Sequence, residues 1–139
     1  MNGLLTDPAR SGVYRASRAA DVLAAARAQG VHVARIARAG RGGKPALLRA
    51  LAAALKFPAW FGGNWDALED CLTDLSWIPA AGYLILFEGA SGLAAADFAV
   101  LRDVLGTAAE FWSARGKPFY AVFVAGPDSL PELSGATRA

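Results

Sequence analysis

The residues best able to do chemistry crowd into one stretch, Phe57 to Trp77, FPAWFGGNWDALEDCLTDLSW. It holds three of the four tryptophans, the only cysteine, and the carboxylates of Asp66, Glu69, Asp70 and Asp74, with no lysine or arginine. Gly62-Gly63 lead into a helix that starts at Asn64, whose side-chain oxygen can accept an orphaned backbone N–H as an N-cap. Asp66 falls in the first turn, where the positive end of the helix dipole favours a carboxylate. At about 100° per residue, Leu68, Cys71, Leu72 and Leu75 form one stripe with Trp65 at its edge. Asp66, Glu69, Asp70, Thr73 and Asp74 form the opposite face. A solvated face usually mixes charge signs. Here Asp66/Asp70 and Asp70/Asp74 set like charges at i, i+4, which costs roughly a few tenths of a kcal/mol per pair with no cation nearby in sequence. The pattern reads as a surface made for a cationic partner.

Other chemistries fit these residues poorly. His32 is the only histidine, in a strand-like segment far from Cys71. Cys71 lies on the apolar stripe, where a lone thiol is ordinarily packed rather than reactive. Asp66 and Asp70 lack a second carboxylate pair or a cationic stabiliser for acid–base work. Carboxylates on consecutive turns of one helix rarely wrap a hard cation, so no metal is expected, and no cofactor. Gly40-Arg41-Gly42-Gly43-Lys44 has the composition of a phosphate loop, but its glycine spacing is wrong and Pro45 follows the lysine. It reads as a turn before a helix with Pro45 at the first position, where the missing N–H costs nothing.

At Trp60-Phe61-Gly62, Asn64-Trp65-Asp66-Ala67-Leu68 and Asp70-Cys71-Leu72-Thr73 the chain resembles the barstar family, intracellular inhibitors of barnase-type microbial ribonucleases. A run of this length with few gaps is far more specific than a three-residue pattern. The resemblance implies that loop and helix plug the ribonuclease active site, with Asp70 where substrate phosphate would bind and Asp66 supporting it. It implies that Trp60 packs against the enzyme's catalytic histidine, and that Gly62, Asn64, Trp65 and Thr73 are further contacts. Glu69 and Leu75 stand where the best-known member of the family has tryptophans, and Trp77 follows Leu75 by two residues. Aligned at Gly116, the acidic residue of the family's later helix falls on Phe111, beside Glu110.

The elements that must position this stretch can be read around it. Gly12–Ala16 suggests a short strand after a loose lead-in with Gly3, Pro8 and Gly12. Ser17 can cap a helix over Arg18–Gln29, closed by Gly30. Val31, Val33 and Ile36 mark a strand with polar residues interleaved. A helix over Pro45–Leu55 carries Leu47, Leu48, Leu51 and Leu55 at helical spacing. Tyr83–Phe87 and Phe119–Val124 are continuous apolar runs, as expected of strands covered on both faces of a parallel sheet. Between them a helix over about Ala95–Arg115 carries Phe98, Leu101, Leu105, Ala108 and Trp112 on one side. From Ala125 the chain reads as a mobile tail. This alternation predicts an α/β fold, a small parallel sheet with packed helices. The resemblance covers about Val31–Val124 and implies three strands. Residues 1–30 would add a βα unit and a fourth strand to a single domain spanning 1–139.

At 139 residues the chain can bury roughly two-thirds of its unfolded surface. Its 55% hydrophobic content comes largely from alanine and speaks for helix and core, since there is no run of 18 apolar residues. One cysteine excludes an internal disulfide, and the start MNGLLTDPAR lacks the pattern of a secretory signal. A cytoplasmic monomer is therefore expected. The net charge of +2 hides a polarity. Residues 1–56 carry ten Lys/Arg against Asp7 and Asp21, giving +8, and residues 57–139 carry four against ten acids, giving −6. An acidic surface can thus exist on a nominally basic chain. The expected partner is a barnase-like ribonuclease. The alternatives are another cationic toxin nuclease, or a nucleic-acid-binding module using the basic first third. Those arginines are spread over several elements with few aromatics between them, which argues against the module.

Overall fold

The two continuous apolar runs form the middle of the sheet. In a computed structural model describing residues 5–133, Tyr83–Phe87 is strand β3 and Phe119–Val124 is strand β4. They pair in parallel from Tyr83↔Phe119 to Phe87↔Phe123. Gly12–Ala16 is β1 and His32–Ile36 is β2, and the sheet order is β1-β4-β3-β2 with every pair parallel. The helices are α1 (Ala19–Gln29), α2 (Gly43–Ala54), α3 (Trp65–Leu72) and α4 (Ala95–Ser113). This is the expected α/β class.

Side chains alternate across the pleat, and both faces are covered. Tyr83, Ile85, Phe87, Phe119, Ala121 and Phe123 point into the larger core, with Leu47, Leu48 and Leu51 of α2, Leu68 and Leu72 of α3, and Leu101, Leu105 and Trp112 of α4. Leu84, Leu86, Tyr120 and Val122 point the other way, against Val22, Ala25 and Ala26 of α1. The leading βα unit therefore does two things. β1 extends the sheet at one edge, and α1 closes the face that would otherwise leave those large side chains in water.

Several boundaries differ from the expectations. The lead-in is not loose from Leu5 onward. Leu5 is buried and its N–H donates to Gln29 Oε1 at 2.8 Å, Pro8–Arg10 forms a 3-10 turn capped by Asp7, and the Tyr120 hydroxyl donates to Asp7 O at 2.9 Å. Gly3 lies outside the described residues. Helix α1 starts at Ala19 with Arg18 at the cap and no side-chain cap bond, so Ser17 does not cap it. Gly30 closes it in the left-handed conformation (φ 70) that an L side chain resists. Helix α2 starts at Gly43, putting Pro45 third, still among the N–H positions that have no partner within the helix.

The expected mobile tail is packed as far as Leu133. Leu130 and Leu133 are each 2% exposed. The Arg15 N–H donates to Pro131 O and the Leu133 N–H to Arg15 O, both at 2.9 Å, and Arg15 Nε donates to Leu130 O at 2.9 Å. The cause is non-local: β1 is an edge strand, and its outward backbone groups need partners. Residues 134–139 lie outside the described residues. No helix among the described residues is long and apolar enough to cross a membrane.

Candidate functional site

Loop and helix from Phe57 to Thr73 are mounted on α2, α4 and the aromatic residues that flank them. The Phe57 ring sits 4.9 Å from Phe61 and 6.3 Å from Trp77, and Trp77 meets Trp60 edge-on at 6.5 Å. The Trp77 indole N–H donates to Leu55 O at 2.9 Å, tying this aromatic row to the end of α2. Phe57, Phe61 and Trp77 pack against the core, whereas Trp60 is 57% exposed. Among the described residues the large hydrophobic side chains left exposed are Trp60 and Val100.

The turn into α3 depends on two residues. Gly63 has φ +71, a conformation that an L side chain adopts only at a cost of about 1–2 kcal/mol. Asn64 is the N-cap, with Oδ1 accepting from the Ala67 N–H at 2.7 Å. The neighbouring Gly62 leaves room for that side chain, since a Cβ there would stand 3.3 Å from Asn64 Nδ2. Leu68, Cys71 and Leu72 are then fully buried, while Asp66 and Asp70 are exposed and Trp65 and Glu69 half-buried. Burying one leucine stabilises by roughly 1.5–3 kcal/mol. The apolar stripe therefore fixes the rotation of α3 and turns Asp66 and Asp70 outward one turn apart.

The end of α3 corrects the expected acidic face. The helix stops at Leu72, so Asp74 is not one turn beyond Asp70 on the same face. The Thr73 hydroxyl donates to Glu69 O at 2.8 Å, and the Leu75 N–H returns to Cys71 O at 3.1 Å with Leu75 at φ 50. Leu75 is buried, and that burial holds the left-handed turn that ends the helix. Asp74 Oδ1 accepts from the Ser76 N–H at 3.3 Å, so its carboxylate caps this turn. Trp112 Nε1 donates to Leu72 O at 2.7 Å, satisfying one of the carbonyls a helix end leaves over.

One cation borders the site that local sequence does not reveal. Lys44 Nζ lies 5.4 Å from the centre of the Trp65 ring, bringing the glycine-rich loop beside the start of α3. Just past the end of α4 the Arg115 guanidinium stacks 3.6 Å above Phe111, and Arg115 Nη1 donates to Phe111 O at 3.0 Å. Lys44 is far from α3 in sequence, so periodicity had no means of finding it. The Asp74 turn did leave a signal, an aspartate two residues before a serine, a common self-bonding turn. Cys71 is fully buried, and burial, with the Asp70 and Asp74 carboxylates, pushes its thiol up to about 11. A thiol in that state is no nucleophile at neutral pH.

Trp60, Gly62, Asn64, Trp65, Asp66, Glu69, Asp70 and Thr73 thus occupy one continuous loop and helix with its carboxylates outward and its aromatic tip in water. A family model described as Barstar (barnase inhibitor) matches residues 31–124, well over half of the chain. The chain belongs to the barstar family. Barstar-family proteins are inhibitors rather than enzymes. The barstar match begins at Val31 and ends at Val124, leaving β1, α1 and the segment packed along β1 outside it. No curated protein matches this barstar-family chain.

Proposed function

We propose that this chain inhibits a barnase-like ribonuclease and is kept in the cytoplasm, where it protects the cell that makes the enzyme. The observation that carries the reading is the outward pair Asp66 and Asp70 on a helix whose opposite side is locked in the core. A ribonuclease active site is a cluster of cationic donors shaped for a negatively charged transition state. Carboxylates held rigidly can accept charge-assisted hydrogen bonds from those donors and exclude substrate without reacting. Asp70 acts as the phosphate mimic, Asp66 supports it, and Trp60 covers the catalytic histidine. Gly62, Asn64, Trp65, Glu69 and Thr73 complete the contact. In this reading residues 1–139 are one domain, with 1–30 as an added βα unit.

An immunity protein against another cationic toxin nuclease would use the same carboxylates. A nucleic-acid-binding role has less support, because Arg15, Arg18 and Arg35 of the basic third already face Glu132, Asp21 and Glu88. Titration of the chain into a barnase-type ribonuclease assay tests the proposal. Stoichiometric loss of RNA cleavage is expected. Undiminished cleavage together with tight RNA binding by the chain itself would overturn it.

A further inference from the structure

The glycine-rich loop ahead of α2 has no part in the contact proposed above, and its lysine stands where local rules disfavour it. Lys44 is the second residue of α2, beside the positive end of that helix's dipole. The first turn of α2 contains no acidic residue to offset the charge. Among the described residues no carboxylate forms an ion pair with Lys44. The side chain is nevertheless half-buried, and its ammonium lies 5.4 Å from the centre of the Trp65 ring. Of the aromatic faces, tryptophan attracts a cation best. A charge set against its own helix and given an indole face instead is a local conflict of the kind found at functional positions.

The loop is anchored so that the lysine arrives there. The Ala39 N–H donates to Glu88 O at 2.7 Å and the Gly40 N–H to Gly89 O at 2.9 Å, tying the loop to the residues that follow β3. At Gly40 a Cβ would stand 2.7 Å from Gly92 N, so this approach needs glycine. Gly42 and Gly43 then take left-handed backbone, φ 84 and 71, and turn the chain into α2. Pro45 follows with its φ fixed by the ring. Lys44 thus projects from a restrained turn onto the first residue of α3, which directly follows the Asn64 cap.

We propose that Lys44 is a positioning residue for partner binding: its ammonium seats the Trp65 indole at the head of α3, beside Asp66. The proposal rests on the reading of α3 as the contact for a cationic ribonuclease. Trp65 packs against the core but is only half-buried, so the core restrains it in part. The ammonium adds the remaining restraint. A surface already held in its bound shape loses less freedom on binding, and the gain appears as slower dissociation. Lys44 also places a positive charge beside an acidic surface, which opposes the attraction of a cationic enzyme. That second effect falls on the association rate, so kinetics separate the two.

Lys44→Met and Lys44→Arg, each in the full chain, test the proposal. Methionine keeps an unbranched stem and removes the charge, whereas arginine keeps the charge and stacks on aromatic rings. In surface plasmon resonance against a barnase-type ribonuclease, Lys44→Met should dissociate about three- to fivefold faster and Lys44→Arg at the wild-type rate. An effect of Lys44→Met confined to the association rate overturns the proposal, because the lysine then acts through charge alone. Equal acceleration in the two variants overturns it as well. NMR of the free chain reads the positioning without the enzyme. In Lys44→Met the order parameter of the Trp65 indole N–H should fall, and the Leu68 amide, which donates to Asn64 O at 3.0 Å, should exchange faster. Both should stay at wild-type values in Lys44→Arg. If the wild type leaves the enzyme uninhibited, the reading of the surface fails and these free-chain signals decide on Lys44. An unchanged indole order parameter and unchanged Leu68 exchange in Lys44→Met overturn its role whether or not the enzyme binds.

Discussion

Trp112→Phe would test whether the far end of α3 is held from behind. The indole N–H donates to Leu72 O at 2.7 Å in a buried site, with the ring 5.3 Å from Tyr83. Phenylalanine keeps most of the packing and removes the donor. A buried acceptor left without its partner costs about 1–3 kcal/mol. The smaller ring leaves some unfilled volume and adds roughly 1 kcal/mol. The expected loss is thus about 2–4 kcal/mol, a fall in melting temperature of about 3 °C or more for each kcal/mol. Trp77→Phe is the control. It loses the same kind of bond, to Leu55 O at 2.9 Å, but in a half-buried place where water can replace the donor. That change should cost under about 1 kcal/mol. Urea melts of both variants decide the matter. If Trp112→Phe costs less than about 0.5 kcal/mol, or the two losses are equal, the end of α3 is not held by this bond.

Asp70→Ala should weaken inhibition of a barnase-type ribonuclease by about 2–5 kcal/mol, mostly through faster dissociation. This is the general range for truncating one member of a buried charge pair, of which barnase–barstar is itself an example. Asp74→Ala should cost under about 1 kcal/mol in affinity, because its carboxylate serves the turn at Ser76. Equal losses in surface plasmon resonance would mean that the carboxylates act only as a diffuse field. Asn64→Ala should lower stability by about 0.5–2 kcal/mol through loss of the cap on Ala67, as read by denaturant melts. Cys71 should resist alkylation in the native protein at neutral pH and react once urea unfolds the chain. Its folded thiol titrates at about 11 against an ordinary 9.0, so the unfolded chain ionises first. Stability from this source is therefore complete below about 9 and falls as pH rises towards 11, which melts across that window would register.

What the sequence disclosed was whatever is encoded locally. Tyr83–Phe87 and Phe119–Val124 could be recognised as covered strands because both faces of the sheet demand apolar residues. Asn64 could be recognised as a cap because the groups it satisfies lie within one turn. The end of α3 was hidden, since Asp74 fits a helical repeat as well as it fits a turn. What ends the helix is Leu75 entering the core in a left-handed conformation and Trp112 arriving from α4. Pro127 and Pro131, among small polar residues, look like free chain, and only the unsatisfied edge of β1 turns that segment into structure. Lys44 was set aside with its glycine loop, and its place over Trp65 depends on how α2 and α3 meet.

The closure of the β1 edge has a kinetic side. Phe119 N bonds Ser11 Oγ across 108 positions of the chain, and Arg15 Nε reaches Leu130 O across 115. Contacts so distant in sequence are slow to form, because a large loop must close before they return any free energy. Helix α3 and the helices that mount it lie between these ends, in the interior of the chain. On a ribosome the surface around α3 is thus expected to gain its shape while the outer strand still waits for its partner. Until β4 has emerged to receive β1, the row formed by Leu84 and Leu86 lacks Tyr120 and Val122 beside it. That interval is where a nascent chain of this kind is most exposed to misassembly.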